Sequence, residues 1–379
     1  MQDGRLSTEF ANSLGQMEGM VLGTVLSFQA NYYTVQLDTP HCLDTEDGAV
    51  TISTLLCTRR SRLKKVGQRV MVGDRVWIEE PDWQGQRGAI AQVLPRKTEL
   101  DRPPIANATQ IILVFALAEP DIEPLQLSRF LTKAESTALT VLLCLSKSDL
   151  VPQAIQESWC DRLQSWGYTP IVFSTYADHN LEAIAHHCQH QVSVISGPSG
   201  VGKSSLINHL IPDAHLRVGE VSGKLGKGRH TTRHVELFEL PGTGLLADTP
   251  GFNQPDLTCA PSEVVQLFPE ARQRLVAGET CQFSDCLHRD EPNCVVRGDW
   301  ERYEHYLLFL DEAIAHQEAT DRLRETESGF KAKTGEAGQT QYEPKLESKK
   351  YRRQSRKAQR QALQDLDIDR LMQDADLDE

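Results

Sequence analysis

Residues Val192–Leu206 read VSVISGPSGVGKSSL, and this stretch decides the fold. It opens with a short apolar run rich in β-branched residues, which is typical of a buried strand. Gly197–Ser204 then follows the phosphate-binding pattern G-x-x-x-x-G-K-S, and an apolar-periodic helical segment comes after it. Because strand, loop and helix stand in the order that this motif requires, the stretch predicts a nucleotide site inside an α/β domain.

The phosphate loop, defined as Gly197–Ser204, has residue types suited to anions. Its glycines permit backbone angles at which successive N–H groups turn inward towards phosphate oxygens. We expect Lys203 to reach the β- and γ-phosphates as a catalytic residue, and the Ser204 hydroxyl to hold Mg²⁺. The alternative is an ordinary glycine-rich turn. The expected nucleotide contacts here are Gly197, Pro198, Ser199, Gly200, Val201, Gly202, Lys203, Ser204 and Ser205.

Composition limits the class of protein. The 379 residues suffice for about two or three domains, and 39% hydrophobic with 25% charged residues is ordinary for a water-soluble chain. The longest apolar run, Ile111–Ala118, is too short to span a membrane, and the N-terminus lacks the apolar core of a secretory signal. Nine cysteines, five of them scattered singly, indicate a reducing compartment, so we expect a cytoplasmic protein without membrane contact.

The first folded segment is predicted to be a small barrel. Five short strand candidates, MVLGTVLSF, NYYTVQLD, AVTISTLLC, DRVWIEE and GAIAQVL, follow one another after Gly19, which favours an oligonucleotide-binding (OB) type. The net charge of −13 argues against nucleic acid, but the loop Arg59–Lys65 carries five cations in seven residues. It predicts phosphate contact, with a solvated loop as the alternative.

From Ile111 onwards strands alternate with amphipathic helical segments. Six strand candidates, IILVFAL, VLLCLS, PIVFST, VSVISG, HVELFEL and GLLADT, predict a mainly parallel, doubly wound sheet. Ligand loops of such sheets lie at the carboxyl ends of the strands. The remaining nucleotide motifs fall at those ends.

The base segment, Ser146–Asp149, directly follows the strand VLLCL. It is close to the Asn-Lys-x-Asp pattern of guanine-nucleotide proteins, with Ser146 in place of Asn. We expect the Asp149 carboxylate to accept hydrogen bonds from guanine N1–H and the 2-amino group, which adenine lacks. The stem of Lys147 would pack on the base, with Ser148 beside it, and main-chain N–H groups near Ser174 would support the base.

Two later segments match the switches of GTPases. In the first switch segment, 219–234, Thr231 or Thr232 is placed to complete the Mg²⁺ shell. In the second, 248–251, Asp248 would hold Mg²⁺ through water and Gly251 would donate its N–H to the γ-phosphate. The alternatives are a plain surface loop and a proline turn. Base segment, phosphate loop and switches occur in a circularly permuted order, so the second switch runs straight into the C-terminal region.

A metal site is predicted near the C-terminus. Cys281, Cys286, His288 and Cys294 supply four soft ligands within fourteen residues, which suits one structural zinc ion in a closed tetrahedral site. A disulfide pair or unliganded thiols are the alternatives. A helix is predicted over 299–326. The segment Lys345–Arg360 has eight cations and one acid, which favours RNA contact, although the acidic end of the chain offers it an internal partner.

Together these motifs resemble the ribosome small subunit-dependent GTPase A family. The resemblance rests on GPSGVGKSSL, GRHTTRHVEL, DTPGF, FPE and CQFSDCLHRDEPNC in permuted order, and it covers about Met20 to Phe309. It implies an OB-type barrel, a circularly permuted GTPase domain and a zinc domain with the four ligands above. It also implies rRNA contact and GTP hydrolysis stimulated by the small ribosomal subunit during its late maturation.

The expected domains are a flexible extension (1–18), the barrel (19–95), the permuted GTPase domain (96–255), the zinc-binding domain (256–327) and a charged, disordered tail (328–379). Phe252 occupies the position where many GTPases carry a water-orienting Gln, so intrinsic hydrolysis should be slow. His230 is the candidate internal catalyst. We expect a monomer, and the alternative function is a GTP-dependent switch acting on a protein partner without RNA.

Overall fold

The computed structural model describes residues 19–45, 48–101, 103–137, 139–211, 235–248, 257–277, 281–327, 330–334 and 340–344. The chain divides into two compact units, residues 1–313 and 314–379. Within the described ranges, no helix combines the length and the apolar character needed to cross a bilayer.

Five strands close into the predicted barrel. They are β1 (Val21–Gln29), β2 (Tyr32–Thr45), β3 (Gly48–Arg59), β4 (Arg75–Asp82) and β5 (Arg87–Val93), with the short helix α1 (Ser61–Lys65) after β3. The order around the barrel is β1-β2-β3-β5-β4, and only β3 and β5 pair in parallel. The alternating apolar residues of each strand fill the interior, among them Val25, Val35, Leu55, Val76, Ile78 and Ile90.

The basic segment after β3 forms α1 where a loop was predicted, and the barrel itself uses three of its five cations. Arg60 forms ion pairs with both Glu79 and Glu80. The Arg62 guanidinium donates to the Ala91 carbonyl at 2.9 Å, and the Arg59 guanidinium donates to the Gln68 carbonyl at 2.9 Å. Lys64 and Lys65 remain exposed.

The connection after the barrel is ordered. It forms the hairpin β6 (Glu99–Asp101) and β7 (Pro104–Ala106). Arg96 supports it, since its Nε lies 2.7 Å from Oδ1 of the fully buried Asp74. A buried carboxylate needs such a partner, which fixes this segment against the barrel.

The predicted six-stranded sheet is confirmed. Its elements are β8 (Gln110–Ala116), α2 (Pro124–Glu135), β9 (Thr140–Ser146), α3 (Gln153–Ser165), β10 (Ile171–Val172), α4 (Leu181–His187), β11 (Val192–Ser196), α5 (Lys203–Leu210), β12 (Leu237–Leu240) and β13 (Gly244–Asp248). The strand order is β10-β9-β8-β11-β13-β12, with β12 alone antiparallel to its neighbour.

One apolar cluster spans the barrel and the sheet. Leu26 and Val72 of the barrel side, with Leu100 and Ile105 of the hairpin, belong to the same buried cluster as the sheet residues around Ile111. The chain also touches the barrel just before β12, because Ser27 and Glu236 form an antiparallel bridge. The two folds therefore lie against each other through buried side chains as well as through the chain connection.

The region after the sheet is helical but interrupted. A 3-10 helix (Pro261–Leu267) and α6 (Pro269–Val276) are separate elements, because Pro269 lacks an N–H and holds Phe268 extended. The long helix α7 spans Tyr303–Glu327. In the segment predicted as a disordered tail, β14 (Phe330–Thr334) pairs with β15 (Thr340–Pro344), and residues 345–379 lie outside the described part.

Candidate nucleotide site and metal centre

The phosphate loop connects β11 to α5 through glycines in the left-handed region. Gly197 has φ +146°, and a Cβ there would lie 2.1 Å from the Val114 carbonyl oxygen of the neighbouring strand β8. Gly200 (φ +81°) shapes the middle of the loop, and Gly202 (φ +92°) caps α5. Glycine is required at Gly197 for two reasons, backbone angle and space.

Lys203 opens α5 and folds back over the loop. Its Nζ donates to the carbonyl oxygens of Gly197 at 2.8 Å and Pro198 at 2.5 Å, and the side chain is largely buried. The ammonium thus lies at the start of a helix, where the backbone dipole and N–H groups attract phosphate. Ser204 and Ser205 follow in the same turn, half-buried.

The base segment lies at the carboxyl end of β9, next to the phosphate loop. The Ser146 hydroxyl, almost fully buried, is 2.6 Å from the Val201 carbonyl and 3.2 Å from that of Phe115. One hydroxyl therefore ties base segment, phosphate loop and β8 together. Although Ser is shorter than the usual Asn, it still braces the neighbouring loop.

Asp149 is held by a second hydroxyl. The Ser174 Oγ donates to Asp149 Oδ1 at 2.5 Å and accepts the backbone N–H groups of Tyr176 and Ala177, each at 3.1 Å. Lys147 has φ +58° and donates to the Glu119 carbonyl. Main-chain support near Ser174 was expected from the sequence, whereas the side-chain bond to Asp149 was not.

Gln156 is a supporting residue that the motifs do not reveal. From α3 its Nε2 donates to the carbonyls of Ser148 at 2.9 Å and Val151 at 3.3 Å, on either side of Asp149. Nothing in the sequence marks this glutamine, because the bond depends on how α3 turns back under the base segment.

Several predicted site residues lie outside the described part of the chain. They are His230, Thr231, Thr232 and Gly251, together with Phe252. For Asp248 only the backbone is described: it ends β13 and pairs with Ile195 at the edge where the phosphate loop begins.

The four predicted metal ligands converge. Their ligand atoms lie within 4.8 Å of one another. His288 Nδ1 is 3.5 Å from the sulfurs of Cys281 and Cys286 and 3.2 Å from that of Cys294, and the Cys281 and Cys294 sulfurs are 3.9 Å apart. A tetrahedral Zn²⁺ with ordinary bond lengths separates two sulfurs by about 3.8 Å and sulfur from nitrogen by about 3.6 Å. The cluster fits such an ion.

The surroundings of the cluster suit a bound cation. Burial raises the pKa of the Cys286 thiol to about 12, so a positive ion is needed to hold it as a thiolate. Burial also lowers the pKa of His288, which keeps the imidazole neutral as a ligand must be. The Tyr303 and Tyr306 hydroxyls of α7 donate to the carbonyls of His288 and Leu287 at 2.9 and 2.5 Å, fixing the loop on that helix.

A mainly parallel sheet with a phosphate loop after β11 and a base segment after the earlier strand β9 defines a circularly permuted GTPase. A model of the RsgA GTPase family matches residues 93–258. A small ribosomal subunit biogenesis GTPase RsgA from Trichormus variabilis is 62% identical over 361 residues, covering 92% of this chain and 97% of the relative. The chain belongs to the RsgA GTPase family, and it is a GTPase.

Solved structures agree with this assignment. YjeQ from Thermotoga maritima superposes with a TM-score of 0.63 at 28% identity, covering 78% of this chain and 99% of that protein. YloQ, described as a circularly permuted GTPase, gives 0.62 at 29% identity and covers 78% and 96%.

Proposed function

We propose that this chain binds GTP with Mg²⁺ and hydrolyses it during late maturation of the small ribosomal subunit. The observation that carries the nucleotide part is the Ser146 hydroxyl, which joins the segment able to read guanine to the loop able to hold phosphates. The ribosomal part is supported by the names of the relatives, which describe small ribosomal subunit biogenesis.

In this proposal the phosphate loop holds the phosphates through its backbone N–H groups and Lys203, and residues Gly197–Ser205 line the nucleotide. Asp149 accepts the guanine N1–H and 2-amino protons, with Lys147, Ser148 and Ser174 around the base. Mg²⁺ would be bound by Ser204, Thr232 and Asp248. The ion supplies charge neutralisation at the phosphates.

Hydrolysis needs a group that orients the attacking water. The side chain of Phe252 has no hydrogen-bonding atom, so we propose His230 in that role, with Lys203 and the Gly251 N–H stabilising the γ-phosphate. A His230→Ala variant should keep GTP affinity and lose most of the turnover stimulated by the small subunit. Full stimulated turnover in that variant would reject this role.

We propose one structural Zn²⁺ per chain in the cluster Cys281, Cys286, His288 and Cys294. The three thiols and one imidazole match the preference of zinc, and all four protein positions are filled, which leaves no open site for catalysis. The ion would hold the loop 281–294 on α7.

We propose rRNA contact through the barrel, acting as a cytoplasmic monomer. The outer face of β2 and β3 exposes Tyr32 and Leu56, and strands 2 and 3 form the ligand face of OB folds. Lys64 and Lys65, exposed on α1 directly after β3, add positive charge to the barrel surface. Arg59, Arg60 and Arg62 already form hydrogen bonds or ion pairs with other residues of the barrel domain. Lys64 and Lys65 are therefore the cations of this segment that fit phosphate best.

The main test is GTP turnover with and without purified small ribosomal subunits, with ATP as the control. We expect stimulation of GTP turnover only. Slow GTP turnover that the subunits leave unchanged would reject the ribosomal part and keep the nucleotide site.

A separate binding test asks whether α1 contributes to the RNA contact. Lys64→Ala with Lys65→Ala should reduce the slope of log K against log salt by about 1 to 2 for subunit binding, since each phosphate contact adds about 0.9. Lys97→Ala, an exposed cation outside α1, is the matched control. An unchanged slope in the double variant would exclude α1 from the RNA contact.

A further inference from the structure

Tyr176 is an aromatic side chain displayed in water beside the base segment. It is 92% exposed, in the short loop that follows β10. This loop is closed by two backbone hydrogen bonds between Ser174 and His179, at 3.2 and 3.0 Å. A single exposed apolar residue is common on protein surfaces, so exposure alone assigns nothing. The position of the Tyr176 ring beside the base segment is what indicates a role.

The group that fixes Tyr176 also fixes Asp149. The Ser174 hydroxyl donates to the Asp149 carboxylate at 2.5 Å and accepts the Tyr176 N–H at 3.1 Å. The base-reading carboxylate and the backbone that carries the ring are therefore held one hydroxyl apart. A base whose edge Asp149 binds would therefore lie beside the loop that carries Tyr176.

We propose that Tyr176 stacks on a face of the guanine base whose edge Asp149 binds. This inference rests on the proposed function and adds a binding residue to the same site. A carboxylate in the plane of the base binds only its edge and leaves both faces of the ring uncovered. The stem of Lys147 is expected on one face, and the Tyr176 ring supplies an apolar, polarisable surface for the other.

The loop is prepared for this contact before the base arrives. The Ala177 N–H also bonds to Ser174 Oγ at 3.1 Å, so two consecutive peptide groups are held at the root of the ring. Ordering the ring on the base then costs little more than its own side-chain rotation. Its exposure means that substitutions there leave the packed core intact.

The test compares nucleotide affinities of Tyr176→Ala and Tyr176→Phe with wild type by calorimetry, using GDP and inorganic triphosphate. Tyr176→Ala should weaken GDP by about tenfold, within the range for base–aromatic stacking, while Tyr176→Phe stays within about twofold because it keeps the ring. Inorganic triphosphate, which has no base, should bind all three proteins equally.

Three outcomes would overturn the stacking. They are wild-type GDP affinity in Tyr176→Ala, an equal loss in Tyr176→Phe, or an equal loss for inorganic triphosphate. If the first outcome came with weaker stimulation by small subunits, the ring would be assigned to the subunit. Failure of the wild-type protein to bind GDP would reject the proposed function itself. The wild-type titration alone shows this, so it is distinguished from a failure of the stacking proposal.

Discussion

The ion pair between Arg302 and Glu270 allows a quantitative prediction. Arg302, at the start of α7, is fully buried, and its Nε and Nη2 lie 2.6 and 2.5 Å from the two carboxylate oxygens of Glu270 on α6. The guanidinium lies 4.7 Å from the Trp166 ring and 4.8 Å from the Phe268 ring. The pair therefore joins α6, α7 and the end of α3 in a dry environment.

Replacing Arg302 with Met keeps an unbranched apolar stem and removes the charged guanidinium. The Glu270 carboxylate would stay buried without a partner, and removing one partner of a buried pair costs about 3–5 kcal/mol of unfolding free energy. The exposed pair Arg322–Glu318 is the control, since Arg322→Met should cost about 0.5 kcal/mol. Adding Glu270→Leu to Arg302→Met should recover most of the loss, because it removes the isolated carboxylate.

Urea unfolding followed by tryptophan fluorescence measures this difference, since Trp166 and Trp300 lie in the same region. The transition should shift to lower urea in Arg302→Met and return most of the way in the double variant. If Arg302→Met cost no more than Arg322→Met, the buried pair would not hold these helices. If the double variant were as unstable as the single one, the isolated-carboxylate explanation would be wrong.

Three further predictions follow from single contacts. Ser146→Ala leaves the Val201 carbonyl without its side-chain donor, so the unfolding free energy should fall by about 1–3 kcal/mol, and GDP affinity should fall as well. Urea unfolding measures the first quantity and calorimetry the second. Unchanged values would contradict the bracing role of Ser146. Gly197→Ala forces a Cβ against the Val114 carbonyl and should abolish nucleotide binding, whereas normal binding would show that the loop can shift. Chelation at mildly acidic pH should release one zinc ion per chain, detected with a colorimetric indicator, and Cys286→Ser should retain less than half of it; full retention would remove Cys286 from the ligand set.

Much of the fold could be predicted because its strands carry local signals. The run at Ile111–Ala116 is apolar throughout and lies buried in the middle of the sheet, and the barrel strands alternate as their two-sided packing demands. The phosphate loop could be predicted as well, since its glycines follow from backbone geometry that no other residue meets.

The remaining features depend on contacts between distant residues. The segment Arg59–Lys65 was expected to contact phosphate, and nothing in its sequence reveals that Arg60 forms ion pairs with Glu79 and Glu80 of β4. An arginine such as Arg302 gives no sign in the sequence that it is buried, because its partner Glu270 lies 32 positions away on another helix. Gln156 supports the base segment through backbone carbonyls, a contact that leaves no motif.

The apolar cluster that spans barrel and sheet affects how the protein can be divided. Leu26 of β1 packs in the same cluster as Leu237 of β12 and Val235 just before it. Cutting the chain after the barrel would therefore leave two fragments, and each would expose the apolar surface that the other fragment covers in the whole chain. The N-terminal barrel therefore covers part of the apolar interior of the GTPase domain. A truncated GTPase lacking the barrel would be prone to aggregate, and its activity would be a poor reference for that of the whole chain.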